Sequence, residues 1–166
     1  WLHAARLKTL PLSITPVLAG LWVGIHQLSG HWRWDIATPT LLAATAIQIS
    51  TNLWNDAADG ERGIDSASRL GPLRVTGSGL ASATQVRRWA IMSAGVAMVC
   101  GLYLVLIGGW PILLIGVSSL LAGFGYSRGP LPLSHTPLGE VLVIFFFGMV
   151  VVGGTAFLIA QRVDHA

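Results

Sequence analysis

Residues 52–65 read Asn52-Leu-Trp-Asn-Asp-Ala-Ala-Asp-Gly-Glu-Arg-Gly-Ile-Asp65, directly after an apolar run long enough to cross a bilayer. Carboxylates at the end of a membrane helix are costly unless they are paired or bind something. Residues spaced by three or four share one face of a helix. That spacing relates Asn52, Asn55, Asp56 and Asp59. An all-oxygen face suits a hard cation, above all Mg²⁺ with a phosphate as co-ligand. The plainer alternative is a polar helix end that only reaches water.

The composition places the whole chain in a membrane. Of its 166 residues 53% are apolar and 10% are charged, with a mean hydropathy of +0.67. A soluble domain has about 25% charged residues. The net charge of +3 does not indicate nucleic-acid binding, because the basic residues fall in short segments between apolar runs. Cys100 is the single cysteine, so the sequence predicts neither a disulfide framework nor a thiolate metal site.

Five apolar stretches predict an all-α, polytopic transmembrane helical bundle. They cover residues 10–28, 37–54, 89–107, 111–126 and 138–160, each near the ~20 residues that a bilayer requires. Several glycines in the later stretches suggest close helix packing, although ordinary membrane composition explains them equally well. These glycines are Gly101, Gly108, Gly116, Gly123 and Gly125.

The basic residues predict the orientation. With a cytoplasmic amino terminus, Arg33 and Arg162 lie outside, and the other eight Lys and Arg residues lie inside. This positive-inside bias puts residues 55–88, the predicted metal and diphosphate loop, in the cytoplasm.

Within that loop the acids come first, and Arg69-Leu-Gly-Pro-Leu-Arg74 follows. We expect the acids to hold Mg²⁺ and the two arginines to hold the phosphate oxygens that the metal does not reach. Gly60 and Gly63 can break the helix and let Asp65 turn back toward the metal. The alternative is a set of solvated surface ion pairs, which contribute little to stability.

Other candidate residues flank this loop. Tyr126 and Arg128, between the last two stretches, are predicted to approach the same site. Lys8, with Arg6, either meets phosphate or anchors the first helix at lipid headgroups by snorkelling. Glu140 lies just inside the fifth stretch, where a functional or paired role is favoured over contact with lipid.

Taken together, these motifs resemble the UbiA superfamily of membrane prenyltransferases, and within it the branch that acts on 1,4-dihydroxy-2-naphthoate. The similarity covers nearly the whole chain in the family's order. It rests on residues 5–11 with 16–20, on residues 52–59 with 63–65, on residues 69–74, on residues 129–132, and on residues 138–141 before 145–148. The usual superfamily pattern has an aspartate four residues after Asp59, where this chain has Gly63 and places Asp65 two residues later.

The resemblance implies a multi-pass enzyme of the bacterial inner membrane. It implies transfer of a polyprenyl group from its diphosphate to 1,4-dihydroxy-2-naphthoate, with loss of CO₂, giving demethylmenaquinone. It also implies Mg²⁺ as cofactor, held by Asn55, Asp56, Asp59 and Asp65. The diphosphate would be bound by Lys8, Arg69, Arg74, Tyr126 and Arg128, with Asp56, Asp59 and Arg74 as the catalytic residues and Asn52 and Glu140 in further roles.

Two alternatives stay open from the sequence. A related enzyme of this type acts on another aromatic acceptor, such as 4-hydroxybenzoate or a haem precursor. A transport or channel fragment would instead use the acids as a cation path. The family fold has about nine helices and a second aspartate motif, which these five stretches do not supply. We therefore expect residues 1–166 to be the amino-terminal part of a single prenyltransferase domain, inactive in isolation.

Overall fold

The structure is a computed structural model that describes residues 2–29, 31–61, 75–128 and 137–161. The helices are α1 (Leu2–Ala5), α2 (Pro11–Val23), α3 (Trp34–Glu61), α4 (Ala83–Arg128), α5 (Pro137–Val143) and α6 (Val151–Ala160). A 3-10 turn, Leu7–Thr9, precedes α2, and π-helical Gly24–Ser29 and Ile144–Val150 continue α2 and α5. The predicted all-α membrane bundle is confirmed.

Three helical stretches in the described part are long and apolar enough to cross a bilayer: Leu7–His26, Ala83–Ala122 and Leu138–Ala160. The first and third match the first and fifth predicted spans. The predicted third and fourth spans both lie in α4, which is interrupted at Gly109. Gly109 has φ 68° and ψ −156°, a backbone conformation that is essentially restricted to glycine.

The predicted second span lies inside α3, which extends beyond it at both ends. Its 28 residues give a length of about 42 Å. This helix is less apolar than the others, because threonines, Gln48 and Asn52 interrupt its hydrophobic sequence. The predicted loop at residues 55–88 is correspondingly helical at both of its ends, since α3 continues to Glu61 and α4 starts at Ala83.

Close approach of α6 to α2 and to its π-helical continuation depends on two glycines four residues apart. A Cβ atom added to Gly20 would lie 2.6 Å from Cβ of Thr155, and one added to Gly24 would lie 2.6 Å from Cβ of Ile159. Small residues with this spacing let membrane helices pack backbone against side chain. Around this contact lies an apolar cluster that includes Val17, Leu21, Ile25, Ile36, Leu104, Ile112, Leu158 and Ile159.

A second apolar cluster lies at the carboxyl end of α3. Its buried residues come from α1, α3, α4 and the turn that precedes α4: Ala4, Leu53, Ala57, Val75, Val86 and Ala90. Two hydroxyl groups reinforce the contact between α3 and α4. Ser50 Oγ donates to the Ala90 carbonyl (2.9 Å), and Ser93 Oγ donates to the Ala46 carbonyl (2.8 Å). This packing brings three segments of the chain together around the polar end of α3.

Candidate functional site

The carboxyl end of α3 carries two adjacent rows of polar and small residues. Asn52, Asp56 and Gly60 form one row at four-residue spacing, and Asn55 and Asp59 form the other. With about 100° per residue, Asp59 lies roughly 60° round the helix from Asp56. The two rows differ in burial. Asn52 and Asp56 are buried, whereas Asn55 and Asp59 are partly exposed.

Asp56 is bound to the turn that precedes α4. Its side chain is 1% exposed. Its Oδ2 accepts the backbone N–H of Val75 (3.1 Å), and its Oδ1 accepts the backbone N–H of Thr76 (3.0 Å). The Thr76 hydroxyl lies within hydrogen-bond distance of Asp56 Oδ1 (2.7 Å) and of the Asp56 carbonyl (2.8 Å), and its single proton serves one of them at a time. Both carboxylate oxygens are therefore satisfied by two consecutive residues.

Asn52 binds the segment that leads into α2. Its amide nitrogen donates to the Ala5 carbonyl and to Thr9 Oγ1, both at 2.9 Å. Thr9 Oγ1 in turn donates to the Arg6 carbonyl (2.9 Å). These bonds hold Arg6 in the left-handed conformation (φ 50°, ψ 61°), which is uncommon for a residue with a side chain. Lys8 is exposed on the same turn.

Gly60, which is partly exposed, is the last residue of the row that contains Asn52 and Asp56. A Cβ atom at this position would lie 2.4 Å from Thr76 Oγ1 and 2.6 Å from Thr76 Cβ, so only glycine lets the turn approach α3 this closely. Glu61, one residue later, forms an exposed ion pair with Arg87 of α4. The Arg87 guanidinium also lies 5.8 Å from the centre of the Trp54 ring. Arg87, predicted as part of the inner positive charge, thus also ties the start of α4 to the end of α3.

Asn55 and Asp59 are the described residues at this end whose chemistry and accessibility fit a Mg²⁺ ion. They offer oxygen atoms one helical turn apart on a partly exposed face. No group of three or more His, Cys, Asp and Glu residues able to hold a metal occurs within residues 2–29, 31–61, 75–128 and 137–161. Asp65, the further predicted ligand, lies outside those ranges.

Several other predicted site residues lie wholly or in part outside the described residues. Arg69 and Arg74 lie outside the described residues, and so do the side chains of Tyr126 and Arg128, whose backbones belong to α4. Glu140 is exposed in the first turn of α5. The structure thus brings together Lys8, Asn52, Asn55, Asp56 and Asp59 at one end of the bundle, around the carboxyl end of α3.

Four partners of the polar row were not identified from the sequence: Ala5, Thr9, Val75 and Thr76. Thr76 follows the predicted arginine motif and precedes Gly77-Ser-Gly79, a turn signal that places a chain reversal there. Nothing in the local pattern pairs it with Asp56, which is 20 residues away in the sequence.

Comparison with known proteins gives a consistent result over the same residues. The profile of the UbiA prenyltransferase family matches residues 13–164. The 1,4-dihydroxy-2-naphthoate octaprenyltransferase of Mycobacterium leprae is 37% identical over 164 residues, which cover 99% of this chain and 55% of that protein. The protein of the same name from Bacillus subtilis is 31% identical, over 96% of the chain and 50% of its own length. No solved structure matches the chain significantly.

A more distant relative carries a different name. The 2-carboxy-1,4-naphthoquinone phytyltransferase of Synechocystis is 28% identical over 154 residues, covering 89% of the chain and 47% of that protein. The chain thus spans about half the length of the curated relatives it matches. Because the family profile covers almost all of the chain, including α3 and its polar end, the chain belongs to the UbiA prenyltransferase family.

Proposed function

We propose that this chain takes part in the transfer of a polyprenyl group from its diphosphate to 1,4-dihydroxy-2-naphthoate. The bond between the prenyl carbon and the diphosphate oxygen breaks, and the diphosphate leaves with the electron pair. The ring carbon that bears the carboxylate attacks the allylic cation, and CO₂ then departs, leaving its bonding electrons in the ring. The product of this step is the hydroquinone of demethylmenaquinone, and the quinone itself requires a separate two-electron oxidation.

The observation that carries this proposal is that the polar end of α3 lies within the part of the chain that aligns with naphthoate prenyltransferases. The carboxyl end of α3 carries Asn55 and Asp59, and Asn52 of the same helix end binds the turn that holds the basic residues Arg6 and Lys8. Relatives named for naphthoate prenyl transfer align with the chain from end to end. A site of oxygen ligands and cations is suited to a diphosphate, because both the metal and the cations counter the charge that develops on the leaving group.

In this proposal Asn55, Asp59 and Asp65 hold Mg²⁺, which neutralises charge on the departing diphosphate. Arg69, Arg74 and Arg128 contribute charge-assisted hydrogen bonds to phosphate oxygens, with Tyr126 as a further donor. Lys8 is exposed on a turn that Asn52 holds against α3, so its ammonium group is available to the same anion. Apolar helix faces around the site exclude water from the allylic cation and accommodate the prenyl chain.

Two other functions, prenyl transfer to a different aromatic acceptor and transport, differ in what they require of the site. A different aromatic acceptor leaves the diphosphate site unchanged, so the contacts of α3 do not discriminate against it. The naming of the relatives favours a naphthalene acid. A transport function would place the polar residues at mid-membrane. Here they lie at a helix end beside basic segments, and the family is one of prenyltransferases.

The test is a prenyl-transfer assay on membranes that contain the full-length protein, with labelled polyprenyl diphosphate and a panel of aromatic acceptors. We expect Mg²⁺-dependent labelling of 1,4-dihydroxy-2-naphthoate in preference to 4-hydroxybenzoate. Asp59→Ala should abolish it, because the metal and the diphosphate that it bridges are both weakened. Glu61→Ala is the matched control, since Glu61 pairs with Arg87 and should matter much less. Near-normal turnover of Asp59→Ala at saturating Mg²⁺ would refute the metal assignment.

The arginine assignment has its own control. Arg74→Lys should raise the KM for the diphosphate and change the KM for the acceptor much less, because lysine cannot reproduce a bidentate contact. Arg88→Lys, at an exposed position in α4, should leave both constants unchanged. Wild-type kinetics of Arg74→Lys toward the diphosphate would leave Arg74 as an orientation signal.

A further inference from the structure

Within the polar end of α3, the buried row and the partly exposed row have different surroundings. Asp56 is 1% exposed, and its carboxylate accepts two backbone N–H groups and a hydroxyl from Val75 and Thr76. Asp59, in the adjacent row, is partly exposed. A Mg²⁺ ligand must turn an oxygen lone pair toward a hydrated or phosphate-bound ion. The Asp56 carboxylate instead faces the turn, and both of its oxygens are already engaged.

We propose that Asp56 is a positioning residue that locks the Val75–Thr76 turn onto α3, and that it is not a metal ligand. The lock fixes the backbone of Val75, the residue that follows Arg74 in the sequence, and Arg74 is the arginine that the proposed function assigns to the diphosphate. A carboxylate that accepts two consecutive backbone N–H groups resembles an anion held in a backbone concavity, which fixes the direction of both peptide planes. Thr76 adds a third bond through its hydroxyl, and buried Val75 anchors the turn in the apolar cluster.

Two neighbouring residues in the same row support this role. Gly60 leaves no room for a Cβ atom beside Thr76, so its lack of a side chain is what allows the turn to contact α3. Asn52 does for the amino-terminal turn what Asp56 does for the later one, since its amide binds Ala5 and Thr9. The row Asn52, Asp56 and Gly60 therefore fixes two segments, the turn that carries Arg6 and Lys8 and the Val75–Thr76 turn, which follows Arg74 in the sequence. The row Asn55 and Asp59 is partly exposed, which is the accessibility that a metal ligand requires.

Hydrogen exchange tests the lock directly and without reference to activity. In the full-length protein in nanodiscs, amide exchange is measured by mass spectrometry on peptides that cover Val75 and Thr76. Asp56→Asn should accelerate these two amides about tenfold or more, because one carboxamide oxygen cannot replace two carboxylate acceptors. Thr76→Val should accelerate them less, and Thr76→Ser, which keeps the hydroxyl, should match wild type. Asp59→Asn, the matched control in the adjacent row, should leave them unchanged.

Kinetics then separates positioning from metal binding, and this arm rests on the proposed function. Asp59→Asn should raise the Mg²⁺ concentration that gives half-maximal prenyl transfer. Asp56→Asn should leave that concentration unchanged and raise the KM for the diphosphate, with kcat less affected. Asp56→Asn and Thr76→Val should be non-additive in KM, since they remove parts of one contact.

The outcomes are distinct. Unchanged exchange at Val75 and Thr76 in both Asp56→Asn and Thr76→Val would overturn the inference, as would a rise in the Mg²⁺ requirement of Asp56→Asn equal to that of Asp59→Asn. If Asp56→Asn does not fold, the comparison of Thr76→Val with Thr76→Ser decides the exchange arm. Absence of any prenyl transfer by the wild-type protein would refute the proposed function, while the exchange result would still decide the role of Asp56.

Discussion

The two ends of α3 are each tied to distant parts of the chain, but by different interactions. At the carboxyl end, Asn52 and Asp56 are buried and make directional hydrogen bonds to backbone groups of two other segments. At the amino end, Arg33 forms an exposed ion pair with Asp35 (2.6 Å) and donates to the Gln161 carbonyl (3.1 Å) at the end of α6. Steric packing of α2 on α6 through Gly20 and Gly24 supports this second end.

The two kinds of interaction differ in how strictly they fix the position of the bound segment. A buried polar group costs free energy unless its partner is in place, so Asp56 admits very few positions of the Val75–Thr76 turn. An exposed ion pair in water is weak and tolerates many geometries. The end that fixes backbone positions is the end that carries Asn55 and Asp59, the described residues whose chemistry fits Mg²⁺. At the amino end, the hydrogen bond from Arg33 to the Gln161 carbonyl joins the start of α3 to the end of α6.

The largest expected contrast is in stability. Asp56→Ala leaves the backbone N–H groups of Val75 and Thr76 without their carboxylate acceptor at a buried contact, which should cost about 3 kcal/mol or more. Asp35→Ala removes an exposed partner of Arg33 and should cost at most ~1 kcal/mol. Reversible unfolding in mixed detergent micelles, followed by circular dichroism, measures both variants. Equal losses of unfolding free energy in Asp56→Ala and Asp35→Ala would show that the buried and exposed interactions stabilise the fold to the same extent.

Substitution of a glycine at the contact between α2 and α6 should have a smaller effect on the free energy of unfolding than Asp56→Ala. Gly20→Ala places a methyl group 2.6 Å from Thr155 Cβ, so α2 and α6 must separate, at a cost of about 1–3 kcal/mol. Gly101→Ala is the control, because no atom lies within 4 Å of its added Cβ. That substitution should be neutral or stabilise the helix by about 0.5–1 kcal/mol.

The same unfolding measurement applies to both glycine variants. A cost for Gly101→Ala as large as that for Gly20→Ala would show that helix flexibility, rather than contact between helices, sets the requirement for glycine. Gly116→Ala, which is equally unobstructed, serves as a second control.

The sequence predicts the helices that carry these glycines, but it does not predict which glycines contact a neighbouring helix. A run of apolar residues predicts a membrane helix, because length and hydrophobicity are local properties, and all five predicted spans lie within helices. Which glycine faces a neighbour depends on helix rotation, which the run does not specify. Of the glycines predicted to pack closely, Gly108 contacts Ile112 and Leu158, whereas Gly101 and Gly116 face open space.

For the polar end of α3, the sequence predicted which residues share a helix face but not the tertiary contacts that they make. Spacing along the helix predicted that the residues around Asp56 share one side, and the structure places them there. The burial of Asp56, in contrast to Asp59, follows from its contact with the Val75–Thr76 turn, about 20 residues later in the sequence. Such a contact depends on tertiary packing of Val75 and Val86, so no local pattern reveals it.

The smallest expected effect is the pH dependence of the exposed end. The hydrogen bond from Arg33, assisted by its positive charge, holds the pKa of Asp35 below its ordinary value, although slight burial opposes the shift. A carboxylate whose pKa is lowered by folding contributes stability above its unfolded pKa, near ~3.9, and loses that contribution as the pH falls through the folded pKa. The stability difference between wild type and Asp35→Asn should therefore be constant from pH 7 to about 5 and shrink to zero under more acid conditions.

This last measurement is made by detergent unfolding at several pH values, with and without about 0.5 M salt, because salt screens exposed charges. The difference should stay under ~1 kcal/mol throughout and fall further in salt, because the pair is accessible to solvent. Arg33 keeps its hydrogen bond to Gln161 in the Asn variant, so the ends of α3 and α6 remain together and the difference reports the ion pair alone. A difference that grew as the pH fell would mean that protonated Asp35 is the form that stabilises the fold, and the exposed end would then resemble the buried one.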